Sequence, residues 1–377
     1  MASCLIHNRY PWIECQLPIR PSDPKGFCIL HSQDKDKDQA AFDAALKEKL
    51  AREDYDFRAV FFPGPVFFAD HEFKGRADFS GATFFGGAYF SGATFSERAY
   101  FSGATFSGGA VFFGARFSKE ADFSEAIFSG LAGFSDATIA GRAIFSYVNP
   151  PGKTGPRLSF WGDFWDLRFQ DQGLLRFQDL SLAQVKFSGT DLRRLEFHNV
   201  TWHRHRGRDQ VYDEVLLKVI EPKPSADDYA RVEELYRYLK LNYEGAGDHK
   251  KAGDFHYGEM EMHRRTSAGR RWASWYSIYW ALSGYGERPV RALICLAGLI
   301  LGLAGLVFWL EPKIAGGWAG LREALFYLLA QATFQRPDWF KPETNWGKFI
   351  RIISPLLIPG QAALLLLALR NRLGRRR

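Results

Sequence analysis

Between residues 57 and 145 large apolar residues recur with alternating steps of five and six positions. Ala stands two positions before most of them, and Ser follows most of them. This period matches neither the 3.6 residues of an α-helical turn nor the simple alternation of a strand. It predicts short strands joined by corners and coiled into a solenoid, with Ala and Phe inside, because strand side chains alternate between faces. The predicted core, here called the Phe ladder, consists of Phe79, Phe84, Phe90, Phe95, Phe101, Phe106, Phe112, Phe117, Phe123, Phe128, Phe134 and Phe145.

A second run of the same kind follows an Asn-Pro-Pro-Gly loop signal at residues 149–152. From residues 177 to 202 large apolar residues step by five without exception, whereas the first run has one additional residue in every second step. The additional residue predicts a bulged corner after every second strand. We therefore expect one solenoid over residues 56–204, with a loop excursion at about 147–159 rather than a second domain.

The units of the first run resemble those of pentapeptide-repeat proteins. Ala-Asp-Phe-Ser-Gly at residues 77–81 and Ala-Thr-Phe-Ser-Gly at residues 104–108 match the A-x-[LF]-x-x unit of that family. The resemblance implies a mainly β fold, a right-handed parallel β-helix of quadrilateral cross-section. Some relatives mimic DNA with an acidic β-helix, but residues 57–202 contain 14 basic and 14 acidic side chains, so we expect no such mimicry here.

Three of the four cysteines stand near the start of the chain, and two of them begin C-x-x-H arrangements. Residues 1–10 contain no apolar run, so we expect no signal peptide and a reducing compartment, where metal binding is favoured over disulfides. Cys4, Cys15, Cys28 and His31 could hold a structural zinc tetrahedrally, with His7 as the alternative ligand. Unrelated reduced cysteines are the other interpretation.

Residues 1–55 are expected to form an N-terminal cap on the solenoid. Residues 34–38 are polar and charged, and residues 40–51 have the apolar spacing of a short helix. Solenoids need such caps, because an open terminal coil exposes unpaired strand edges.

Residues 205–268 change to a helical period and predict a helical hairpin. Ser225 and Asp228 have the spacing of a capping box, and Asp248 can cap the second helix. The hairpin is either a docking element for a protein partner or a packing adaptor. Residues 269–291 then predict an amphipathic helix in the headgroup layer of a membrane, with basic residues followed by Trp272, Trp275, Tyr276, Tyr279 and Trp280.

Residues 292–377 predict a membrane hairpin. Residues 292–310 and 352–369 contain no charged side chain, and either run is long enough to cross a bilayer as a helix. The whole segment has 11 basic and 4 acidic side chains. Arg288 and Arg291 precede the first run, and Arg370, Arg372, Arg375, Arg376 and Arg377 follow the second. Both flanks are therefore expected in the cytoplasm.

A shorter apolar run at residues 321–334 lies between the two predicted spans. This layout resembles a two-helix ion-channel subunit, a type of tail found on some bacterial pentapeptide-repeat proteins. The resemblance implies a bacterial inner-membrane location and a pore-like segment at Thr333, Phe334, Gln335 and Arg336. Potassium channels have T-x-G-Y-G at this point. The absence of those glycines and the presence of Arg336 disfavour potassium selectivity.

The sequence contains no catalytic constellation and no phosphate-binding glycine loop, so we expect a protein that is not an enzyme. The expected partners are the lipid bilayer and a protein whose identity the sequence does not give, and nucleic acid is not expected. We predict a scaffold or sensor with a cytoplasmic solenoid. The alternative is an ion-channel-like subunit, forming a homo-oligomer that the cytoplasmic domain gates.

Overall fold

A computed structural model describes residues 3–147, 160–219, 223–266, 275–311, 317–333, 335 and 342–373. Its contacts divide the chain into two units, Met1–Pro224 and Ser225–Arg377.

The first unit is a parallel β-solenoid of about six turns, as the sequence predicts. In chain order its strands are β1 Phe61–Phe62, β2 Val66–Phe67, β3 Glu72–Phe73, β4 Ala77–Asp78, β5 Thr83–Phe84, β6 Ala88–Tyr89, β7 Thr94–Phe95, β8 Ala99–Tyr100, β9 Thr105–Phe106, β10 Ala110–Val111, β11 Arg116–Phe117, β12 Ala121–Asp122, β13 Ile127–Phe128, β14 Leu131–Gly133, β15 Thr138–Ile139, β16 Arg142–Ser146, β17 Trp161–Asp163, β18 Arg168–Phe169, β19 Leu174–Gln178, β20 Val185–Lys186 and β21 Leu195–His198.

These strands form four parallel sheets, one for each side of the coil. Their orders are β1-β5-β9-β13, β2-β6-β10-β14-β17-β20, β18-β15-β11-β7-β3 and β21-β19-β16-β12-β8-β4. Four short sides per coil follow from the repeat, because each step of five or six residues gives one strand and one corner.

Strand pairing shows how far the chain advances in one coil. Phe61 pairs with Thr83 in the first run, and Leu175 pairs with Leu195 in the second. A coil of the first run is therefore longer by two positions, as its steps of five and six predict. β14, β15 and β16 pair with β17, β18 and β19, so all three sheets continue beyond residues 148–159, which lie outside the described residues.

Aromatic rings fill the interior of the solenoid. All twelve side chains of the Phe ladder are buried, and the Ala two positions before each is buried as well. Rings one coil apart lie face to face, as in Phe84 and Phe106, whose centroids are 4.7 Å apart. Rings on opposite sides of the coil meet edge to face, as in Phe79 and Phe90 at 5.5 Å. The interior is therefore a packed aromatic core, with each Phe contributing about 1.5–3 kcal/mol through burial.

Tight corners follow every second strand of the first run. Gly103 occupies such a corner with a φ of 65°. This left-handed conformation suits glycine, because it lacks the Cβ that makes the region unfavourable for other residues. It explains why Gly follows Ser at these corners.

The N-terminal cap contains α1 (Ile6–Arg9) and α2 (Gln39–Ala51). The α2 side chain Phe42 lies edge to face against Phe62 of the first coil, with ring centroids 5.6 Å apart. Lys37 is buried, and its Nζ donates to the carbonyl oxygens of Leu30, Ser32 and Phe61 at 3.2, 3.1 and 2.6 Å. The ammonium group thereby satisfies a carbonyl at the open edge of β1.

The C-terminal end of the solenoid corrects one predicted boundary. The predicted hairpin segment 205–268 begins too early, because an antiparallel pair, β22 (His203–His205) and β23 (Arg208–Gln210), and a short helix, α3 (Tyr212–Leu216), belong to the first unit. The buried carboxylate of Asp213 accepts hydrogen bonds from the amides of Phe187 and Ser188. These contacts hold α3 on the last coils as a second cap.

The second unit is helical. Its helices are α4 (Ala226–Gly245), α5 (His249–Arg265), α6 (Trp275–Ser283), α7 (Pro289–Leu310), α8 (Trp318–Ala332) and α9 (Asn345–Leu373). α4 and α5 form the predicted hairpin, and the capping box of Ser225 and Asp228 is confirmed. Asp248 caps α5 through the amide of Lys251.

The predicted single helix over residues 269–291 is wrong. α6 ends at Ser283 and α7 begins at Pro289, while residues 269–274 lie outside the described residues. Gly284, Tyr285 and Gly286 all have positive φ values between the two helices. Such a run cannot continue an α-helix, and the residue before Pro289 is also driven away from helical geometry.

Candidate metal centre and membrane segment

The cap brings together four of the five candidate metal ligands. Cys4 lies just before α1, and its amide donates to the Leu17 carbonyl at 2.9 Å. Cys28 and His31 flank one helical turn, closed by the Ser32 amide on the Cys28 carbonyl. The ligand atoms of Cys4, Cys15, Cys28 and His31 all lie within 4.8 Å of one another. His7 is exposed on α1 and is not part of this group.

The separations within this Cys3His cluster fit a tetrahedral ion. Zinc with bonds of about 2.3 Å to sulfur and about 2.0 Å to nitrogen requires S···S separations of about 3.8 Å and S···N separations of about 3.5 Å. The Cys15 and Cys28 sulfurs are 3.8 Å apart. The His31 Nδ1 lies 3.6 Å from the Cys4 sulfur and 3.2 Å from the Cys28 sulfur. The cluster could therefore hold a metal ion with little rearrangement.

Hydrogen bonding in the cluster orients His31. Its Nε2 lies 3.2 Å from the Arg58 carbonyl oxygen, to which it donates when Nδ1 carries no proton. Nδ1 then faces the thiols with a free lone pair, which is the arrangement found when a metal-binding imidazole has a backbone partner. The same contact joins the cluster to the first coil of the solenoid.

The electrostatics of the cluster favour a cation. Hydrogen bonds from Cys15 and Cys28 strongly lower the pKa of the Cys4 thiol. Burial alone would lower the pKa of His31, but its hydrogen bonds to Cys15 and Cys4 raise that pKa to about 9. The thiolate charge thus draws a proton onto His31, and a bound metal ion would supply the positive charge in its place.

One side of the solenoid exposes large apolar side chains that the sequence analysis did not single out. The sheet β2-β6-β10-β14-β17-β20 and its corners form this side, here called the aromatic face. Phe67 is 70% exposed, and its ring stacks on that of Tyr89 with centroids 5.0 Å apart. The exposed side chains of the face are Phe67, Tyr89, Phe113, Leu131, Trp161 and Trp165.

The opposite sheet has a different composition. Its outward positions on β4, β12 and β19 carry charged side chains, Asp78, Asp122 and Arg176. The outward Tyr100 of β8 and Ile144 of β16 are only half-exposed. The aromatic face therefore differs from the opposite side in carrying several large exposed apolar side chains.

The sequence carried a signal for the aromatic face. The outward residues of β2, β6 and β10 are all apolar, at Phe67, Tyr89 and Val111. Recognising this signal required the register of one coil, which pairs Phe67 with Tyr89 and assigns alternate repeat units to opposite sides.

The helices α7 and α9 are long and apolar enough to cross a membrane. Only 17% and 22% of their most apolar stretches are buried, which is unlike the core helix of a soluble protein. α7 has 22 residues, which span about 33 Å as a helix. α9 continues through Pro355 and Pro359.

The short helix α8 packs between these two helices. Leu303 and Val307 of α7, Tyr327 and Leu328 of α8 and Ile350 of α9 share one buried cluster. This helix corresponds to the predicted half-span. Of the pore-like residues, Thr333 ends α8 and is exposed, and Gln335 is exposed, whereas Phe334 and Arg336 lie outside the described residues.

Polar contacts join the membrane-type helices to one another. The Glu311 carboxylate, at the end of α7, accepts hydrogen bonds from the Thr344 amide and hydroxyl just before α9. The Gln361 amide group of α9 donates to the carbonyl oxygens of Leu282 and Ala292 at 3.0 and 3.1 Å. At α6, the Trp280 indole donates to the Tyr257 hydroxyl at 2.9 Å.

Comparison with known proteins agrees with the solenoid. The family model described as pentapeptide repeats (9 copies) matches residues 68–116 and 112–149. Residues 68–147 therefore form a pentapeptide-repeat β-solenoid. Neither a search of curated proteins nor a search of solved structures found a match.

Proposed function

We propose that this protein is a non-enzymatic, membrane-anchored scaffold or sensor that presents its solenoid to a protein partner. The aromatic face carries the proposal. Exposed Phe67, Phe113 and Trp161 contribute nothing to the packed interior, and contiguous exposed aromatic side chains are typical of protein interfaces. A neutral repeat region with such a face suits a protein partner better than nucleic acid.

The anchor in this proposal is the pair α7 and α9. Their length and low burial support insertion in a bilayer, and the basic residues beyond them support a cytoplasmic position for both ends. The membrane proposed is the inner membrane of a bacterium. The aromatic side chains of α6 suit the headgroup layer beside such an anchor. One of them, Trp280, lies near the start of α7, since its ring centroid is 4.7 Å from the Arg291 guanidinium.

The Cys3His cluster is proposed to bind a structural zinc ion. The tetrahedral separations of Cys15, Cys28 and His31 support this choice, and sulfur-rich sites favour zinc among the common divalent ions. Zinc would hold the first residues of the chain against the Cys28–His31 turn. Its role is therefore to fix the cap on the first coil.

Photocrosslinking in intact cells tests the scaffold proposal. A photoreactive residue at Phe113, on the aromatic face, should crosslink a protein partner, whereas the same residue at the outward Thr105 of β9 should not. Trp161→Ser should reduce the yield from position 113 at least fivefold. Equal yields from positions 113 and 105 would contradict a partner specific to the aromatic face. The full chain should sediment with membranes, and a variant ending at residue 266, which lacks α6 and the two long apolar helices, should not.

The channel-like interpretation is the second candidate. The packing of α8 between α7 and α9 favours it, since a short helix between two spans is the layout of channel subunits. Ion flux into liposomes distinguishes the two functions. Flux that requires residues 292–377 and falls when Arg336 is replaced would favour a channel, and a level equal to empty liposomes would favour the scaffold.

A further inference from the structure

The outward side of α8 carries both large apolar and charged side chains. Trp318, Phe326 and Leu329 are exposed there, Trp318 at 87% and Phe326 at 60%. Arg322 is exposed and Glu323 is half-buried on the same helix. These side chains point away from the cluster that α8 shares with α7 and α9. The side therefore combines large apolar residues with one charge of each sign.

The two charges are adjacent and share one depression. Ala319, Arg322, Glu323, Phe326 and Ala330 line an open concavity of about 660 Å³. Among the residues that the structure describes, no hydrogen bond or ion pair reaches the side chain of Arg322 or Glu323. Charges beside apolar surface at membrane depth are costly unless they are paired.

Lipid tails are a poor occupant for this surface. The exposed side of α7 is apolar at Leu293, Ile294 and Leu301, and residues 292–310 contain no charge, so lipid suits α7 well. The α8 surface offers lipid tails an arginine and a glutamate. A protein surface with a glutamate opposite Arg322 and an arginine opposite Glu323 is a better match.

We infer that the outward side of α8 binds the same side of a second copy of this chain. A two-fold axis puts each chain's Arg322 opposite the other chain's Glu323, so one self-complementary surface pairs all four charges. Ala319 and Ala330 have small side chains that let the two helices approach closely. A ring of several chains would use two different surfaces of each chain, with Arg322 on one and Glu323 on the other. Both side chains line the same concavity, so a single two-fold contact fits them better. The inference rests on the proposed membrane insertion, which sedimentation tests separately.

Charge reversal with rescue tests this pairing. The full-length chain is purified in a mild detergent, and the number of chains per particle is measured by light scattering that separates protein from detergent mass. We expect two chains for the wild type. Arg322→Glu and Glu323→Arg should each give one chain per particle, because like charges then meet across the axis. The double variant Arg322→Glu/Glu323→Arg should return to two chains, since it restores both pairs with their signs exchanged.

A matched control is Lys348→Glu, an exposed charge on α9 away from the concavity, which should leave two chains per particle. If the wild type has one chain per particle, or four, the two-fold pairing is overturned. The pairing is also overturned if the single variants keep two chains, or if the double variant stays at one. Sedimentation of all variants with membranes would show that a change in chain number does not come from failed insertion.

Discussion

Replacing Cys28 by Ser removes the most deeply buried ligand of the Cys3His cluster. We expect the purified variant to lose its zinc, measured by elemental mass spectrometry, and to lose more than about 3 kcal/mol of unfolding free energy, because metal binding and folding of the cap are coupled. His7→Ala changes an exposed residue outside the cluster and should keep one zinc per chain. Stoichiometric zinc in the Cys28→Ser variant would contradict the ligand assignment.

Lys37 makes the stability of the cap depend on pH. Burial lowers its pKa from 10.5 to about 7. Between these values the unfolded chain holds a proton that the folded chain releases, so the free energy of unfolding rises with pH across this window. We expect the wild type to gain roughly 1–3 kcal/mol relative to Lys37→Met between pH 7 and pH 10, measured by urea unfolding. The control Lys25→Met, at an exposed lysine, should show no such pH-dependent difference. If the difference in unfolding free energy between the wild type and Lys37→Met does not change with pH, the role of Lys37 is refuted.

These two sites differ in how far sequence could reveal them. The cysteines and the histidine of the cluster stand within the first 31 residues, and their residue types indicate metal binding even when the fold is not known. Lys37 stands in a charged stretch that predicts a solvated loop. Its burial depends on carbonyl groups contributed by Leu30 and by Phe61, 24 positions away, so only the folded cap makes the contact visible.

At the level of single strands, the same substitution is expected to have opposite effects at two neighbouring phenylalanines. Phe112 is fully buried, whereas Phe113 is 53% exposed at the next position. Phe112→Asp should prevent folding of the solenoid, because an unpaired carboxylate in the aromatic core has no compensation. Phe113→Asp should leave the midpoint of thermal unfolding within about 2 °C of the wild type and should weaken partner binding at the aromatic face. Circular dichroism distinguishes the two, and equal effects would contradict the inward and outward assignment.

Elements were predictable where they are periodic and were missed where they end. The strands and the hairpin α4–α5 follow from spacing and caps that the sequence carries. The break between α6 and α7 was signalled by Gly284, Gly286 and Pro289, whose backbone preferences outweigh the aromatic pattern around them. The cap at β22, β23 and α3 had no such signal. It depends on the buried pair of Arg208 and Glu214, two residue types that sequence alone assigns to a solvated surface.

For the molecule as a whole, the solenoid was predictable because each coil contacts only its neighbours, so a local repeat determines the global architecture. Which side chains of each strand point into the core and which point to solvent was predictable in the same way. The repeat alone could not show which side carries the aromatic face, because that depends on the outward residues of all six strands of one sheet. The membrane-type helices follow from apolar length alone, whereas the packing of α8 between them does not.

The strand register also limits how the length of the solenoid can change. Removing residues 88–109 would join Gly87 to Ala110 and shorten the stack by one coil, about 4.8 Å, with every sheet still aligned. Removing only residues 88–98, half a coil, would instead turn everything beyond the junction by half a revolution. Trp161 would then lie on the side opposite Phe67, and the aromatic face would be divided between two sides. Insertions and deletions in such a protein can therefore preserve its binding surface only if they come in whole coils.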